Sequence, residues 1–197
     1  MKSLTILLLS IALFSCKNEN KKEPEKNVAA QMATENSPVK KTIGKGTYLC
    51  KINGKDWYYT SASSVVAKNE NIGFRRATIT FKKKLNKGTE SIQIAYNADE
   101  QTVVSALVSL KPNDINGNLI SAMYNMRLGY VKPSESMSGT IDLSDMEAAS
   151  GTAKITIEND YEKAKLNPED HILKITDLSF SGVGYSDINR EFDKYKK

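Results

Sequence analysis

The sequence has few of the side chains on which catalytic and metal sites usually depend. Its 197 residues include 1 histidine, 2 cysteines and 1 tryptophan. The single histidine, His171, excludes metal sites built from several imidazoles and leaves one imidazole as a possible acid or base. The sequence also has no glycine-rich phosphate-binding loop. A catalytic site in this chain would therefore have to work mainly with carboxylates.

The residues that could act as acids or bases stand in segments that do not suggest catalysis. His171 comes at the start of a predicted strand, beside Ile172, and no serine or cysteine is placed near it as a nucleophile. Asp142, Asp145 and Glu147 cluster around a turn. Paired carboxylates hydrolyse glycosides, but acids in turns are ordinarily solvated. We expect the protein not to be an enzyme, with a hydrolase that uses carboxylates as the alternative.

One oxygen-rich segment, Asn113–Asn118, has the glycine and the short polar side chains of a calcium-binding loop. It lacks the regular ligand spacing and the closing glutamate of the EF-hand pattern. Asparagine, aspartate and glycine are also the residues that favour plain turns. We therefore predict a turn here, and no metal or other cofactor.

Neither sign of charge dominates the chain. The 28 lysines and arginines exceed the 23 acidic residues by a formal net charge of +5 at pH 7. This excess is too small to indicate nucleic-acid binding, which needs a concentrated basic face. One segment departs from the average, because Phe74–Gly88 contains cations and no acid. Its cations are Arg75, Arg76, Lys82, Lys83, Lys84 and Lys87.

This basic segment, Phe74–Gly88, is the candidate contact site. Its charges could hold the phosphates of lipopolysaccharide or an acidic glycan. Lysines on an edge strand also keep sheets of neighbouring molecules from pairing, which is the structural alternative. Strand alternation places Arg76 and Lys82 on one face and Arg75 on the other. Arg75 can join that face only if the end of its strand is bulged or frayed.

The only long apolar run stands at the N-terminus. Lys2 precedes Leu4–Phe14, a run broken only by Thr5 and Ser10. At about 1.5 Å of rise per residue, this run is too short to span the roughly 30 Å hydrocarbon core of a bilayer. It has the charge and length typical of the apolar part of a signal peptide, with an uncleaved membrane anchor as the alternative.

The end of that run, Leu13–Cys16, resembles a bacterial lipobox, with an aliphatic residue three positions before the cysteine and a small residue directly before it. The resemblance implies cleavage before Cys16 and attachment of fatty acyl groups, palmitate among them, to this residue. We therefore expect a signal peptide over residues 1–15 and a lipid anchor at Cys16. Lys17 differs from the aspartate that commonly retains such proteins in the inner membrane. This favours the outer membrane, on its periplasmic or cell-surface face.

A flexible tether is predicted over residues 16–45, between the lipid and the folded domain. The segment is rich in lysine, asparagine and glutamate and has no aromatic residue. Such a composition buries too little apolar area to offset the entropy lost on ordering. We place the globular domain at residues 46–197.

The second cysteine, Cys50, has no partner for an internal disulfide if Cys16 carries lipid. A lone thiol in an oxidising compartment could be reactive or pair between chains. Cys50 lies in the alternating segment Tyr48–Ile52, however, and a buried cysteine packs as a small hydrophobic residue. The pattern favours the buried, unreactive thiol.

Alternation of apolar and polar residues predicts that the domain is built of β-strands. Ile120–Tyr130 is the clearest case, with six apolar residues on one face. Val103–Leu110 also fits a helix, but its three valines favour a strand. The remaining strands are predicted over Tyr48–Ile52, Trp57–Tyr59, Phe74–Phe81, Ser91–Tyr96, Gly139–Leu143, Thr152–Ile157 and Ile172–Val183.

Turn signals separate these strands. Asn53-Gly54 is a strong hairpin signal, Ser61–Ser64 is predicted as a polar break, and a change of parity suggests a bulge near Asp177. The spacing of Ile188, Phe192 and Tyr195 after Ser186 predicts a short amphipathic helix that closes one end. About eight or nine short strands with a C-terminal helix indicate an all-β fold, an antiparallel sandwich or barrel.

Three segments resemble a group of small lipoproteins of the Bacteroidota. They are Cys50–Trp57, with its Asn-Gly-Lys turn and tryptophan, Ser150–Thr152, and Ile175–Val183, which resembles the late Ile-Thr-Asp pattern with a phenylalanine. The resemblance implies a lipoprotein with an all-β domain and supplies no activity. We thus predict a non-catalytic binding or envelope-assembly module whose partner is an anionic glycan, lipopolysaccharide or an envelope protein. An envelope hydrolase is the alternative.

Overall fold

The computed structural model describes residues 42–43, 46–69, 71–193 and 195, and this part of the chain is mainly β. The predicted signal peptide, Cys16 and nearly all of the tether lie outside the described residues. The strands are β1 (Thr42–Ile43), β2 (Gly46–Ile52), β3 (Lys55–Tyr59), β4 (Ser61–Asn69), β5 (Phe74–Lys84), β6 (Thr89–Asn97), β7 (Thr102–Leu110), β8 (Ala122–Arg127), β9 (Ser136–Ser138), β10 (Ile141–Asp142), β11 (Ala148–Glu158) and β12 (Ile172–Asp187).

The described residues also form two short helices. A 3-10 helix spans Pro168–Asp170, and the α-helix α1 spans Ile188–Asp193. Neither has the length and apolar character needed to cross a membrane. The prediction of an all-β fold with a short C-terminal helix is confirmed.

The strands pair into one mixed sheet with the main order β1-β2-β12-β4-β5-β6-β7-β8. Strand β3 pairs with β2, β11 pairs with β12, and β9 and β10 pair with β11. Strands β4 to β8 follow one another as an antiparallel meander. Within the described residues, the one parallel pairing joins Tyr185–Asp187 at the end of β12 to Ser64–Val66 of β4. The long β12 thus joins the meander to the β2–β3 hairpin and to β11.

Aromatic residues from different strands meet in the core. Phe180 of β12 lies with its ring centroid 5.3 Å from that of Phe81 in β5 and 6.5 Å from that of Tyr96 in β6. The buried Tyr96 hydroxyl donates a hydrogen bond of 3.1 Å to the Thr152 carbonyl of β11. These contacts pack the meander against β11 and β12, and the hydrogen bond satisfies a hydroxyl that would be costly to bury alone.

The β2–β3 hairpin turns where the sequence predicts it. Asn53 and Gly54 both have positive φ, 47° and 80°, as the favoured two-residue hairpin turns require. The Asn53 side chain also accepts a hydrogen bond from the Lys174 N–H at 2.7 Å and donates to the Ile172 carbonyl at 3.2 Å. The turn is therefore held to β12 as well as to its own hairpin.

The predicted bulge in β12 is confirmed at Asp177, which has φ +57°. The pairing with β11 shifts there, because Ile175 faces Ile155 and Leu178 faces Ala153. The extra residue restores parity, so that Ile175 and Leu178 are both buried.

The strand predicted over Ile120–Tyr130 is shorter than its sequence pattern. Ala122, Tyr124 and Met126 are buried as expected. Strand β8 ends at Arg127, however, and Leu128 and Tyr130 are 61% and 81% exposed. Gly129 takes φ +91°, and the Tyr130 N–H bonds to the Arg127 carbonyl. This turn carries the last two apolar residues away from the core, so the expected burial of Leu128 and the extension of the strand to Tyr130 are wrong.

Other boundaries also differ from the prediction. The segment Ser61–Ser64, which was predicted to be a polar break, begins strand β4. The strand predicted over Gly139–Leu143 shrinks to Ile141–Asp142. Helix α1 is capped by Asp187, whose Oδ1 accepts the Arg190 N–H at 3.2 Å, and not by Ser186.

The predicted apolar face of α1 does not close the domain. Ile188, Phe192 and Tyr195 are exposed, because the helix lies beside β4 with its apolar side chains away from the core. A period of 3.6 residues predicted the helix correctly but not the burial of its apolar side chains.

Candidate functional site

Along strands β4 to β8 the outward side chains are mainly polar and include no acid. Cross-strand partners in an antiparallel sheet point to the same side, and the register aligns Lys82 with Ser91 and Ser91 with Ser109. We call this surface the outer face. Its side chains are those of Ser61, Ser63, Val65, Ala67, Arg76, Thr78, Thr80, Lys82, Lys84, Thr89, Ser91, Gln93, Ala95, Asn97, Ser105, Leu107, Ser109, Met123, Asn125 and Arg127.

Two arginines meet at one end of the outer face. The Arg76 guanidinium reaches across β6 and donates a hydrogen bond of 2.7 Å to Ser105 Oγ, and Ser105 is the direct cross-strand partner of Arg127. Partial burial lowers the pKa of Arg76, and the Arg127 charge lowers it further. Two cations are thus held together with no carboxylate on the outward side of these strands. An anion placed between them would relieve their repulsion and accept charge-assisted hydrogen bonds.

Two lysines, Lys82 and Lys84, are exposed towards the other end of the outer face. They line a shallow hollow of about 500 Å³ together with Thr60, Ser61 and Asn86. Arg76 and Lys84 are eight residues apart on one strand, which corresponds to roughly 26 Å. Hydroxyl and amide side chains lie between the cationic ends, together with Val65 and Leu107. This arrangement suits an extended anionic ligand better than a single small ion.

The predicted basic segment divides between the two sides of β5. Arg76, Lys82 and Lys84 lie on the outer face, and Lys87 is exposed in the turn that follows β5. Arg75 does not lie with them, because its Nη2 is 2.6 Å from Asp187 Oδ2 on the inner side. Lys83 also points inward and pairs with Glu90 at 3.3 Å. Arg75 and Lys83 therefore lie apart from Arg76, Lys82 and Lys84, as alternation along β5 requires.

Arg127 is the residue of the outer face that the sequence analysis missed. Its position in β8, one residue after the buried Met126, indicates an outward side chain. Its meeting with Arg76 depends on the order β5-β6-β7-β8 and on the register of each pair. Alternation alone cannot supply those two facts.

A carboxylate, Glu90, organises the inner side of the same strand ends. Its Oε2 accepts a hydrogen bond of 2.9 Å from the Trp57 indole N–H, and its Oε1 accepts the Lys111 N–H at 3.2 Å. The Lys83 ammonium lies 3.3 Å from Oε2 and 5.9 Å from the centroid of the Trp57 ring. The cluster satisfies a largely buried carboxylate and fixes the indole in place.

The turn acids considered from the sequence have local structural roles. Asp142 Oδ1 accepts the Ser144 N–H at 2.8 Å, which holds the pKa of Asp142 below its usual value. Asp145 Oδ1 accepts the Glu147 N–H at 2.9 Å. The half-buried His171 has Nε2 3.2 Å from the Leu166 carbonyl. None of these contacts joins an acid to a second catalytic group.

The calcium-like segment folds as a turn held by its own aspartate. Asp114 Oδ1 accepts the N–H groups of Asn116 and Asn118 at 2.9 and 2.8 Å, and these bonds lower the pKa of Asp114. Across the described residues, no three side chains of histidine, cysteine, aspartate or glutamate are grouped as metal ligands.

The thiol of Cys50 is buried in the core and is not in a disulfide. Burial raises the pKa of the thiol to about 12. At neutral pH the thiolate that reacts with electrophiles is therefore scarce. This agrees with the prediction of a cysteine that acts as a small core residue.

Comparisons with protein families, curated proteins and solved structures give no match for this chain. The outer face must therefore be interpreted from its own geometry.

Proposed function

We propose that this protein is a non-catalytic binding module of the bacterial envelope, which holds an anionic glycan or the phosphorylated sugars of lipopolysaccharide on its outer face. The observation that carries the proposal is the Arg76–Arg127 pair, placed with Lys82 and Lys84 on a surface without outward carboxylates. Serine, threonine, asparagine and glutamine side chains between the cations supply further donors to hydroxyl and phosphate oxygens.

The outer face supports weak, extended binding. Its cations are largely exposed, so each contact with an anion is screened by salt and contributes little alone. Several such contacts along a polymer add together without a deep pocket. The binding should therefore weaken as the ionic strength rises above about 0.15 M.

The hydrolase alternative has less support from the geometry. The carboxylate of Glu90 is bonded to Trp57, Lys83 and the backbone of Lys111, and the turn acids Asp142 and Asp145 accept backbone N–H groups. Glycoside hydrolysis needs two carboxyl groups free to face the scissile bond. We therefore favour binding over hydrolysis.

A charge-reversal experiment tests the outer face. The double variant Lys82→Glu, Lys84→Glu should bind lipopolysaccharide micelles and dextran sulfate at least about tenfold more weakly than the unaltered domain. The control is Lys154→Glu, Lys174→Glu, which makes the same charge change at two exposed strand positions on β11 and β12. Equal loss in both double variants would show that net charge alone, and not the outer face, holds the ligand.

The proposed module is anchored by lipid at Cys16 in the outer membrane. The lipobox resemblance of Leu13–Cys16 and the Bacteroidota-like segments of the domain support this part of the proposal. Metabolic labelling with palmitate should tag the full-length chain, and Cys16→Ser should accumulate as an unlabelled precursor. Labelling of the Cys16→Ser variant would rule out this anchor.

A further inference from the structure

A cleft of about 440 Å³ opens on the inner side of the sheet, opposite to the outer face. It lies between the β2–β3 hairpin, the ends of β5 and β6, the loop after β7, and the 3-10 helix Pro168–Asp170. Leu110 contributes apolar surface to its wall, and the buried Ile52 and Leu173 lie behind that wall. The volume is within the range of about 300–1,000 Å³ that is common for small-molecule sites.

Several polar groups in the cleft are already bonded and serve to shape its walls. Glu90 is held by Trp57, Lys83 and Lys111. The Tyr124 hydroxyl donates a hydrogen bond of 2.6 Å to the Asp170 carbonyl, which fixes the 3-10 helix against β8. These groups give the cleft a defined shape, but few of their own donors and acceptors are left to bind a ligand.

Besides the exposed Glu169, three other side chains line the cleft without such bonds. They are the carboxylate of Asp170, the ammonium group of Lys55 and the carboxamide of Asn113. Within the described part of the chain, none of the three forms a side-chain hydrogen bond or an ion pair. Burial raises the pKa of Asp170, the Glu169 charge adds to this, and Lys55 acts in the opposite direction. A partly buried carboxylate that accepts no hydrogen bond is ready to accept donors from a ligand.

We propose that this cleft binds a neutral sugar, one or two rings in size. A carboxylate accepts hydrogen bonds from sugar hydroxyls, a carboxamide both donates and accepts, and an ammonium group donates. The partly exposed Leu110 side chain suits the C–H face of a sugar ring. Asp170 and Glu169 disfavour anionic ligands, and Lys55 disfavours polyamines. This site is separate from the outer face and goes beyond the proposed function. Lys83 and Glu90 border the cleft on one side of the sheet, whereas Lys82 and Ser91 lie on the other side.

The single tryptophan of the chain provides the measurement. Trp57 lines the cleft and is the only indole in the sequence. Titration with glucose, galactose, N-acetylglucosamine and their disaccharides should give a saturable change of tryptophan fluorescence with at least one sugar, at a Kd on the order of 1 mM. Asp170→Asn should weaken that binding about tenfold or more, because a charge-assisted acceptor is lost. Glu100→Gln, an exposed acid in the β6–β7 turn, should bind as the unaltered domain does.

Further variants keep the test decisive. Lys55→Gln and Asn113→Ala also remove a free group from the cleft, so they serve if Asp170→Asn does not fold. Lys82→Glu, Lys84→Glu should retain full sugar binding, which separates this site from the outer face. The proposal is overturned if no sugar binds by fluorescence or calorimetry up to about 50 mM. It is also overturned if the folded cleft variants bind as tightly as the unaltered domain, or if spermidine binds and no sugar does.

Discussion

Lys82, Lys83 and Lys84 are consecutive and chemically identical, yet the two sides of β5 give them different contacts. Lys82 and Lys84 point to the outer face and are exposed. Lys83 points inward, where it pairs with Glu90 and lies over the Trp57 ring. The outer side thus keeps its cations available, and the inner side uses the cation between them to hold a buried carboxylate and an indole.

The difference shows how a period of two distributes charge in this domain. Successive side chains in a strand point to opposite sides, so a run of three lysines cannot form a single patch. The outer face gains its second arginine from β8, a distant part of the sequence. A cationic surface on a sheet is therefore built across strands, and its members must be identified by register.

The largest difference in the free energy of unfolding should appear when an aspartate is placed on one side of β8 or on the other. Met126 is 2% exposed and Met123 is 45% exposed. Met126→Asp should lower the free energy of unfolding by about 4 kcal/mol or more, because an unpaired carboxylate enters the core. Met123→Asp should change it by no more than about 0.5 kcal/mol. Urea unfolding measures both, and equal stabilities would contradict the assignment of inner and outer sides.

The inner side could be predicted from the sequence because each strand has one buried face. Ala77, Ile79 and Phe81 repeat with period two and are all buried. The Asn53-Gly54 turn and the Asp177 bulge also leave local signals, in turn chemistry and in a change of parity. Such features depend on residues that are close together in the chain.

Features that depend on the order of the strands could not be predicted. The parallel contact of β12 with β4, the Arg76–Arg127 pair and the cleft all join segments that are far apart in sequence. The end of β8 was also missed, because apolar residues continue the alternation through Leu128 and Tyr130 after a turn at Gly129 has ended the strand. Alternation indicates which residues could share a face, and pairing decides which of them do.

A smaller effect should appear at alkaline pH, through Cys50 on the inner side. The pKa of this buried thiol is raised from 9.0 to about 12. Above pH 9 the unfolded chain loses the thiol proton and the folded chain keeps it, so stability falls as the pH rises. The fall should be about 2 kcal/mol between pH 9 and about pH 11.

The control for this pH dependence is Cys50→Ala. Buried Tyr96 and Tyr124 also have raised pKa values and lower the alkaline stability in the same direction. The contribution of the thiol is therefore the difference between the unaltered domain and Cys50→Ala in the slope of the free energy of unfolding against pH. Identical slopes would contradict the burial of a protonated Cys50.

The smallest effect separates the adjacent lysines themselves. Lys83→Ala should lower the free energy of unfolding by about 1 kcal/mol, because it removes the ion pair with Glu90 and the packing on Trp57. The side chains of Lys83 and Glu90 are 33% and 13% exposed, so solvent screens this pair only in part. Lys82→Ala should be neutral within about 0.5 kcal/mol and should weaken binding to dextran sulfate, whereas Lys83→Ala should leave that binding unchanged. Thermal unfolding and the binding assay together measure both properties in each variant. If the two substitutions had the same effect on stability and binding, the division of β5 into a binding side and a structural side would be wrong.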